Sequence, residues 1–264
     1  MTFLTDAIAA LGAQVLAGVK TARTLGDVFV RTLSGTLRGR REPGEVVQQM
    51  YQIGNKSLVF IAVTLGFIGM VLVFQTCLQL NRVTGDLSLV GAEFAKLMVH
   101  EFGPTLTGMM LATRVGAGIA AEIGSMVVTE QVDALRMSRV DPIDYLIVPR
   151  FIASMVMTFV LAIFGVVVAM LLGTLTAKLS FRVNPKVFLD LSRVGWADLT
   201  IGLSKCFAYG AAIPVVSGTC GLLARGGSEG VGWATTSAVI GSSFAVIVLD
   251  FILSGIGFAF LQGT

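Results

Sequence analysis

Charged residues are scarce in this sequence. Asp, Glu, Lys and Arg make up 13% of the 264 residues, against roughly 25% in soluble domains. Hydrophobic residues make up 55%, and the mean hydropathy is +0.84. So few charges cannot cover a soluble core with polar surface, which indicates an integral membrane protein. The 31 glycines agree with a helical bundle, in which small residues let helices approach closely.

Histidine and cysteine are also rare. His100 is the one histidine, and Cys77, Cys206 and Cys220 are the three cysteines. Each cysteine lies in an apolar segment without a C-x-x-C spacing, so we predict packed thiols and neither a zinc site nor a disulfide framework. No nucleophile and base stand at a readable spacing. We therefore predict no enzyme, no metal site and no cofactor bound by this chain.

Nucleotide-binding motifs are missing as well. No G-x-x-x-x-G-K-[ST] sequence occurs, and Gly54 to Ser57 lacks the loop glycine that precedes such a lysine. Gly116 to Ala121 imitates a dinucleotide fingerprint, but no strand precedes it, so we interpret it as helix packing. Energy from ATP would therefore have to come from another chain.

Five apolar segments are long enough to cross a bilayer, which takes roughly 20 residues. They cover approximately residues 58–80, 90–119, 151–175, 199–224 and 233–260. Small residues recur at every fourth position in two of them, which predicts close helix contacts. These residues are Ala112, Gly116, Ala120 and Gly124, and Gly165, Ala169, Gly173 and Ala177.

The N-terminal region differs from the five spans. From Leu4 to about Leu37, apolar residues recur mostly every three or four positions, with basic residues between them. This pattern predicts an amphipathic helix lying in the membrane interface. The alternative is a helix packed on a soluble domain. The predicted fold is an all-α polytopic membrane protein, with an interfacial region at residues 1–57 and a five-span domain at residues 58–264.

The distribution of basic residues predicts the orientation. With five spans, the two termini lie on opposite sides. The side that holds the N-terminus and the segment between spans two and three would contain twelve Lys and Arg residues, and the other side five. By the positive-inside rule, the N-terminus is cytoplasmic and the C-terminus is on the outer face.

A long polar break, Glu122 to Arg150, separates the second and third spans. We predict a short helix there, with Thr129 as its N-cap, Glu130 and Asp133 in its first turns and Arg136 and Arg139 at its end, an arrangement that suits the helix dipole. The apolar residues among these charges are Val132, Leu135 and Met137. This composition favours docking into a groove of a partner; the alternative is a solvated connector. A second helix start is predicted where Asp-Pro opens the third span, at Asp141 and Pro142.

Three ionisable residues lie at membrane depth, where charge is costly. They are Glu101 in the second span, Lys205 in the fourth and Asp250 in the fifth. We expect Lys205 to neutralise Glu101 or Asp250 and so to hold the spans together. A direct role with substrate is the alternative.

Two adjoining segments resemble the MlaE (YrbE) permease family. The first reads HEFGPTLTGMMLATRVGAGIAAEIGSM, residues 100–126, and the second reads VVTEQVDALRMSRVDPIDYLIVPR, residues 127–150. The resemblance extends to LDF at Leu249 to Phe251 and covers nearly the whole chain after residue 45. The blocks E-x-G-x-M, T-E-Q-x-D-A-L and D-P, in this order and at this spacing, are highly specific.

The resemblance implies a homodimeric permease of an ABC transporter that moves phospholipids between the bacterial inner membrane and the outer envelope. The implied partners are a second copy of the chain, two cytoplasmic ATPase subunits that bind ATP and magnesium, and a periplasmic hexamer of MCE-domain proteins. A STAS-domain subunit often accompanies the ATPases. The C-terminus would then be periplasmic. Within the family, sterols or other hydrophobic molecules are the alternative substrates.

The resemblance also implies roles for residues. The coupling helix, about residues 129–138, would bind the ATPase. The residues of this chain to which the resemblance gives that role are Thr129, Glu130, Gln131, Asp133, Ala134, Leu135 and Arg136. The implied lipid cavity between two copies makes Phe74, Gln75 and Leu78 candidate lining residues. His100 departs from the arginine that members tend to carry before this glutamate.

A rival hypothesis is a proton-coupled secondary transporter that uses Glu101, His100 and Asp250 as a proton relay. Many secondary transporters consist of paired, inverted halves. The five predicted spans contain no such repeat, which favours the permease.

Overall fold

The chain is described by a computed structural model at residues 2–38, 43–83 and 87–262. Within these ranges every regular element is helical. Five helices are long and apolar enough to cross a membrane, which confirms the predicted all-α, five-span architecture. These spans are Gly44–Arg82, Val90–Val128, Ile143–Phe181, Trp196–Leu222 and Ser228–Ala259.

The individual helices subdivide two of the spans. The α-helices are α1 (Thr2–Arg38), α2 (Pro43–Val83), α3 (Val90–Leu97), α4 (Gly103–Leu111), α5 (Ala117–Val128), α6 (Gln131–Met137), α7 (Val148–Phe181), α8 (Pro185–Phe188), α9 (Trp196–Leu222) and α10 (Ser228–Gln262). π-Helical segments at Met98–Phe102 and Ala112–Gly116 join α3, α4 and α5 into the second span, and Ile143–Ile147 opens the third.

The second and third spans are longer than predicted. The second continues to Val128 instead of ending near Ile119, and the third begins at Ile143 instead of Phe151. The predicted ends were placed where charged residues appear. A charge limits how deep a residue sits in hydrocarbon, but Glu and Arg are good helix formers and do not end a helix. The polar break between the spans therefore narrows to an elbow, residues 129–142.

The two sets of regularly spaced small residues both pack inside the bundle, as predicted, and all eight are buried. The set on α7 faces α2, where the Cα of Ala169 is 3.0 Å from the position that a Cβ on Gly69 would occupy. The set on the second span faces α9 and α10, and Gly116 lies against Ser217 and Ser242. Close backbone approach of this kind brings polar groups of different spans within reach of each other.

The C-terminal part of α1 packs against the bundle through the buried Val28 and Thr32. The side chains of residues 2–17 lie outside the described set, so the interfacial position of α1 stays a prediction. α2 runs without interruption through residues 57 and 58. The predicted boundary between an interfacial region and a five-span domain therefore falls inside a helix, and as a membrane boundary it stays a prediction.

Candidate functional site

The elbow at residues 129–142 contains the short helix α6, Gln131–Met137. Thr129 was predicted as the N-cap of this helix, and this is wrong. Thr129 ends α5, and both its hydroxyl and its N–H donate to the Ser125 carbonyl, at 2.9 Å and 3.0 Å. Because α5 reaches Val128, the Thr129 hydroxyl finds a carbonyl of the preceding turn. Glu130, at φ 60°, then starts α6 in a left-handed conformation.

Both charged residues of α6, Asp133 and Arg136, are exposed to solvent. They form an ion pair in which Arg136 Nη1 lies 3.0 Å from Asp133 Oδ1. Val132 was predicted to be available for docking, but it is only 3% exposed and belongs to the core of the bundle. Leu135 also packs against that core, whereas Met137 is 88% exposed. Val132 and Leu135 thus attach α6 to the bundle. Met137, Asp133 and Arg136 remain exposed on its surface.

Asp141 connects the elbow to two other elements. Its Oδ1 accepts the N–H of Ile143 at 3.0 Å, which caps the third span and confirms the Asp-Pro helix start. Its Oδ2 lies 3.0 Å from Arg31 Nη2 on α1. The C-terminal part of α1, the elbow and the third span therefore meet at one carboxylate.

An ion pair between a buried arginine and a half-exposed glutamate joins the two spans beside the elbow. Arg150 Nη2 lies 2.9 Å from Glu122 Oε2, and the arginine side chain is only 5% exposed. Arg150 Nη1 also donates to the Leu146 carbonyl at 2.6 Å. Both charges were predicted only as part of the polar break, and their pairing was not predicted. Their pairing could have been predicted, because Glu122 and Arg150 lie at the ends of two apolar segments that a short elbow must bring side by side.

A second charge network lies inside the bundle, and the predicted residues meet there. Lys205 Nζ is 2.5 Å from Glu101 Oε2 and 3.0 Å from Asp250 Oδ1, and the Lys205 side chain is 0% exposed. His100 Nδ1 is 3.2 Å from Glu101 Oε1. The lysine contacts both carboxylates, whereas only one was expected. Their role in holding the spans together stays a prediction.

Three hydroxyl groups complete this network, and the sequence analysis missed them. Tyr209 and Thr105 donate to Asp250 Oδ1 at 2.6 Å and 2.9 Å, and Ser254 donates to Glu101 Oε1 at 3.0 Å. Each hydroxyl follows a charged residue by four positions: Thr105 after Glu101, Tyr209 after Lys205 and Ser254 after Asp250. Residues at this spacing share a helix face, so helical periodicity alone was a usable signal.

The predicted cavity residues lie at the end of α2 opposite the elbow. Phe74 and Gln75 are exposed, Leu78 is half-buried, and the Phe74 ring contacts the Phe181 ring at 5.5 Å between centroids. An apolar crevice of about 430 Å³ lies elsewhere, between α7 and α9, and none of the three lines it. Their role in binding lipid stays a prediction.

Residues 46–256 match the family model described as Permease MlaE. A probable ABC transporter permease of Synechocystis sp. is 36% identical over 241 residues, which cover 90% of this chain and 89% of the relative. A probable ABC transporter permease of Rickettsia felis is 36% identical over 91% of this chain and 94% of its own length. Protein TRIGALACTOSYLDIACYLGLYCEROL 1, chloroplastic, of Arabidopsis thaliana is 33% identical over 93% of this chain and 69% of its own length.

Proposed function

This chain belongs to the MlaE permease family, and on that basis we propose that it is the membrane subunit of an ABC transporter that moves phospholipids between the inner membrane and the outer envelope. Permease names among the relatives support a transport function. Support for a lipid substrate comes from the name of the Arabidopsis relative, which refers to trigalactosyldiacylglycerol. ATP and magnesium would be bound by separate ATPase subunits.

The elbow carries the proposal of an ATPase partner. Helix α6 has an exposed ion pair, Asp133 with Arg136, next to the exposed Met137. A docking surface in a groove needs such an apolar anchor within a polar rim. We propose that residues 129–138 form the coupling helix, with Glu130, Gln131 and Ala134 contributing to the contact, and that Asp141 passes its movement to α1 and the third span.

The other proposed partners are a second copy of the chain, a periplasmic hexamer of MCE-domain proteins and a STAS-domain subunit on the ATPases. α10 offers a surface for a second copy, because only 11% of its spanning window is buried within one chain. Its exposed apolar residues include Ile240, Phe244 and Phe251. Phe74, Gln75 and Leu78 would then line a lipid cavity between the two copies.

Charge reversal on the elbow tests the ATPase contact. The tagged native chain, purified from membranes of its own host, should recover an ABC ATPase subunit. The Glu130→Lys, Asp133→Lys double variant should recover at least about tenfold less, because it reverses the charge of the proposed contact surface and removes the partner of Arg136. The measurement is the amount of ATPase per permease in the eluate.

Asp190→Lys is a control for charge reversal, because it replaces one exposed acidic residue by lysine between the third and fourth spans, away from the elbow. It should recover the native amount of ATPase, and all variants should elute as folded protein in size-exclusion chromatography. Native recovery of ATPase by the double variant would rule out this coupling helix.

Cysteine labelling tests the proposed orientation, with a cytoplasmic N-terminus and a periplasmic C-terminus. Ser192 and Ser228 are exposed and lie in connections on opposite sides of the membrane. A membrane-impermeant maleimide should label the Ser192→Cys variant in intact cells and the Ser228→Cys variant only after permeabilisation. The native chain is the control: Cys77 and Cys206 are buried and Cys220 is partly exposed, so any labelling of Cys220 is measured in the native chain and subtracted. The reverse labelling pattern would invert the orientation.

A further inference from the structure

A polar cavity of about 250 Å³ lies between α2 and the elbow-side half of the second span. Its polar lining consists of Gln49, Gln52 and Lys56 from α2, and Arg114 and Glu122 from the second span. The three α2 residues follow a spacing of three and four positions, which places them on one helix face. Polar groups from two helices therefore converge on one space. It is separate from the network of Glu101, Lys205 and Asp250 and shares only Glu122 with the ion pair beside the elbow.

The charge in this cavity is positive. Within the described ranges, neither Lys56 nor Arg114 forms an ion pair with a carboxylate. The one acidic lining residue, Glu122, is already neutralised by the buried Arg150 at 2.9 Å. Two uncompensated cations therefore face a cavity that also offers the side-chain amides of Gln49 and Gln52.

Arg114 is held in place for this arrangement. Its Nη1 donates to the hydroxyl of Ser57, and Ser57 is buried. This contact directs the guanidinium from the second span to the level of Lys56 on α2. The guanidinium has five N–H donors, and those not directed at Ser57 are available to an acceptor in the cavity.

The depth of the cavity corresponds to the polar edge of the bilayer on the elbow side. Lys56 is the last charged residue of α2 before an uncharged stretch that continues to Asn81. Arg150, the partner of Glu122, is the last charged residue of α7 before an uncharged stretch that continues to Ala177. The hydrocarbon region therefore begins at this level, next to the phosphate groups of the lipids.

We propose that this cavity binds the phosphate group of a membrane phospholipid from the leaflet on the elbow side. Lysine and arginine form charge-assisted hydrogen bonds to phosphate oxygens, and glutamine amides can donate to the remaining oxygens. The volume lies below the roughly 300–1,000 Å³ of small-molecule pockets, which suits a headgroup whose acyl chains stay in the bilayer. The choice of a phospholipid over free phosphate rests on the proposed transport function.

Two lipids that differ only in the phosphate test this site. The purified full-length chain in detergent, without ATPase, is titrated with dioleoyl phosphatidic acid or with dioleoylglycerol, and bound lipid is measured by native mass spectrometry. Phosphatidic acid should bind and dioleoylglycerol should not. Lys56→Gln should weaken the binding of phosphatidic acid by about tenfold or more, as expected for a lost hydrogen bond to a charged group.

Lys178→Gln is the control, because it makes the same change at an exposed lysine on the opposite side of the bundle. It should leave binding unchanged. Arg114→Gln would also remove the contact with the buried Ser57 and so disturb the packing of α2; Gln52→Glu is therefore the second test. That variant places a negative charge in the lining and should also weaken binding, while its thermal unfolding stays close to that of the native chain.

Three results would overturn the proposal. They are equal binding of the two lipids, native affinity for phosphatidic acid in both Lys56→Gln and Gln52→Glu, and displacement of phosphatidic acid by an equal concentration of inorganic phosphate, which would indicate a free-anion site. The assay contains no ATPase, so its outcome is independent of elbow docking. If the chain recovers ATPase normally but binds phosphatidic acid and dioleoylglycerol equally, only the headgroup site is refuted and the proposed function is not.

Discussion

Lys205→Met should lower the free energy of unfolding by about 3–5 kcal/mol, the range found when one partner of a buried ion pair is removed. The native lysine lies 2.5 Å from Glu101 and 3.0 Å from Asp250. Methionine has a similar length but no charge, so both carboxylates would remain in the bundle without a cation. Total stability is only about 5–15 kcal/mol, so the substitution should remove a large fraction of it and lower the amount of protein that survives solubilisation in the folded state. Fluorescence-detected size-exclusion chromatography of solubilised membranes measures this loss.

Two comparisons separate the charge effect from other effects of the substitution. Lys178→Met changes an exposed lysine and should leave the amount of folded protein unchanged. Combining Lys205→Met with Glu101→Gln and Asp250→Asn removes all three charges. Because a buried ion network can often be replaced by neutral groups without loss, this triple variant should recover much of the stability.

Folded, normally assembled Lys205→Met protein that no longer transports would contradict the structural role. The network would then act on substrate or on protons, as in the rival hypothesis of a relay through His100, Glu101 and Asp250. The geometry favours the structural role, since three hydroxyl groups and one lysine already occupy both carboxylates. A group that must exchange protons with water would be expected to have freer access.

Gly210→Ala should also be strongly destabilising. A Cβ at Gly210 would lie 2.7 Å from the Cα of Met155 and 2.9 Å from the carbonyl oxygen of Ser154. Both are backbone atoms of α7, so relief requires α7 and α9 to move apart. Overpacking typically costs about 1–3 kcal/mol, and more where it separates backbones. Thermal unfolding in detergent, followed with a thiol-reactive dye, measures the effect.

Gly255→Ala provides the control on α10. A Cβ at Gly255 meets no atom within 4 Å, and alanine is favoured over glycine in a helix by up to about 1 kcal/mol. This variant should unfold at the native temperature or slightly above it. Equal unfolding temperatures for the two variants would mean that the contact between α7 and α9 does not limit stability.

Much of the candidate site was predictable from local sequence. The five long apolar segments predicted the spans. The isolated charges at Glu101, Lys205 and Asp250 within them predicted an intramembrane network, because hydrocarbon leaves a buried charge few partners besides another charge. The hydroxyl groups of Tyr209 and Ser254 were equally accessible through helical spacing but were not considered.

The helix ends and the assignments at the elbow were less predictable. Thr129 was assigned to the wrong helix and Val132 to the wrong face, because both assignments depend on where α5 ends and on how α6 rotates against the core. Capping patterns identify residues that suit a helix end, but they do not decide between the end of one helix and the start of the next.

The sequence by itself determined the class of the protein, the number of its spans and the family to which it belongs, since all three depend on composition and on motifs close together along the chain. Only the tertiary structure decided which distant charges meet. Glu122 pairs with Arg150, and Arg114 reaches Ser57 beside Lys56. The physical reason is that such contacts depend on the relative rotation and depth of whole helices, which are set by packing across the bundle.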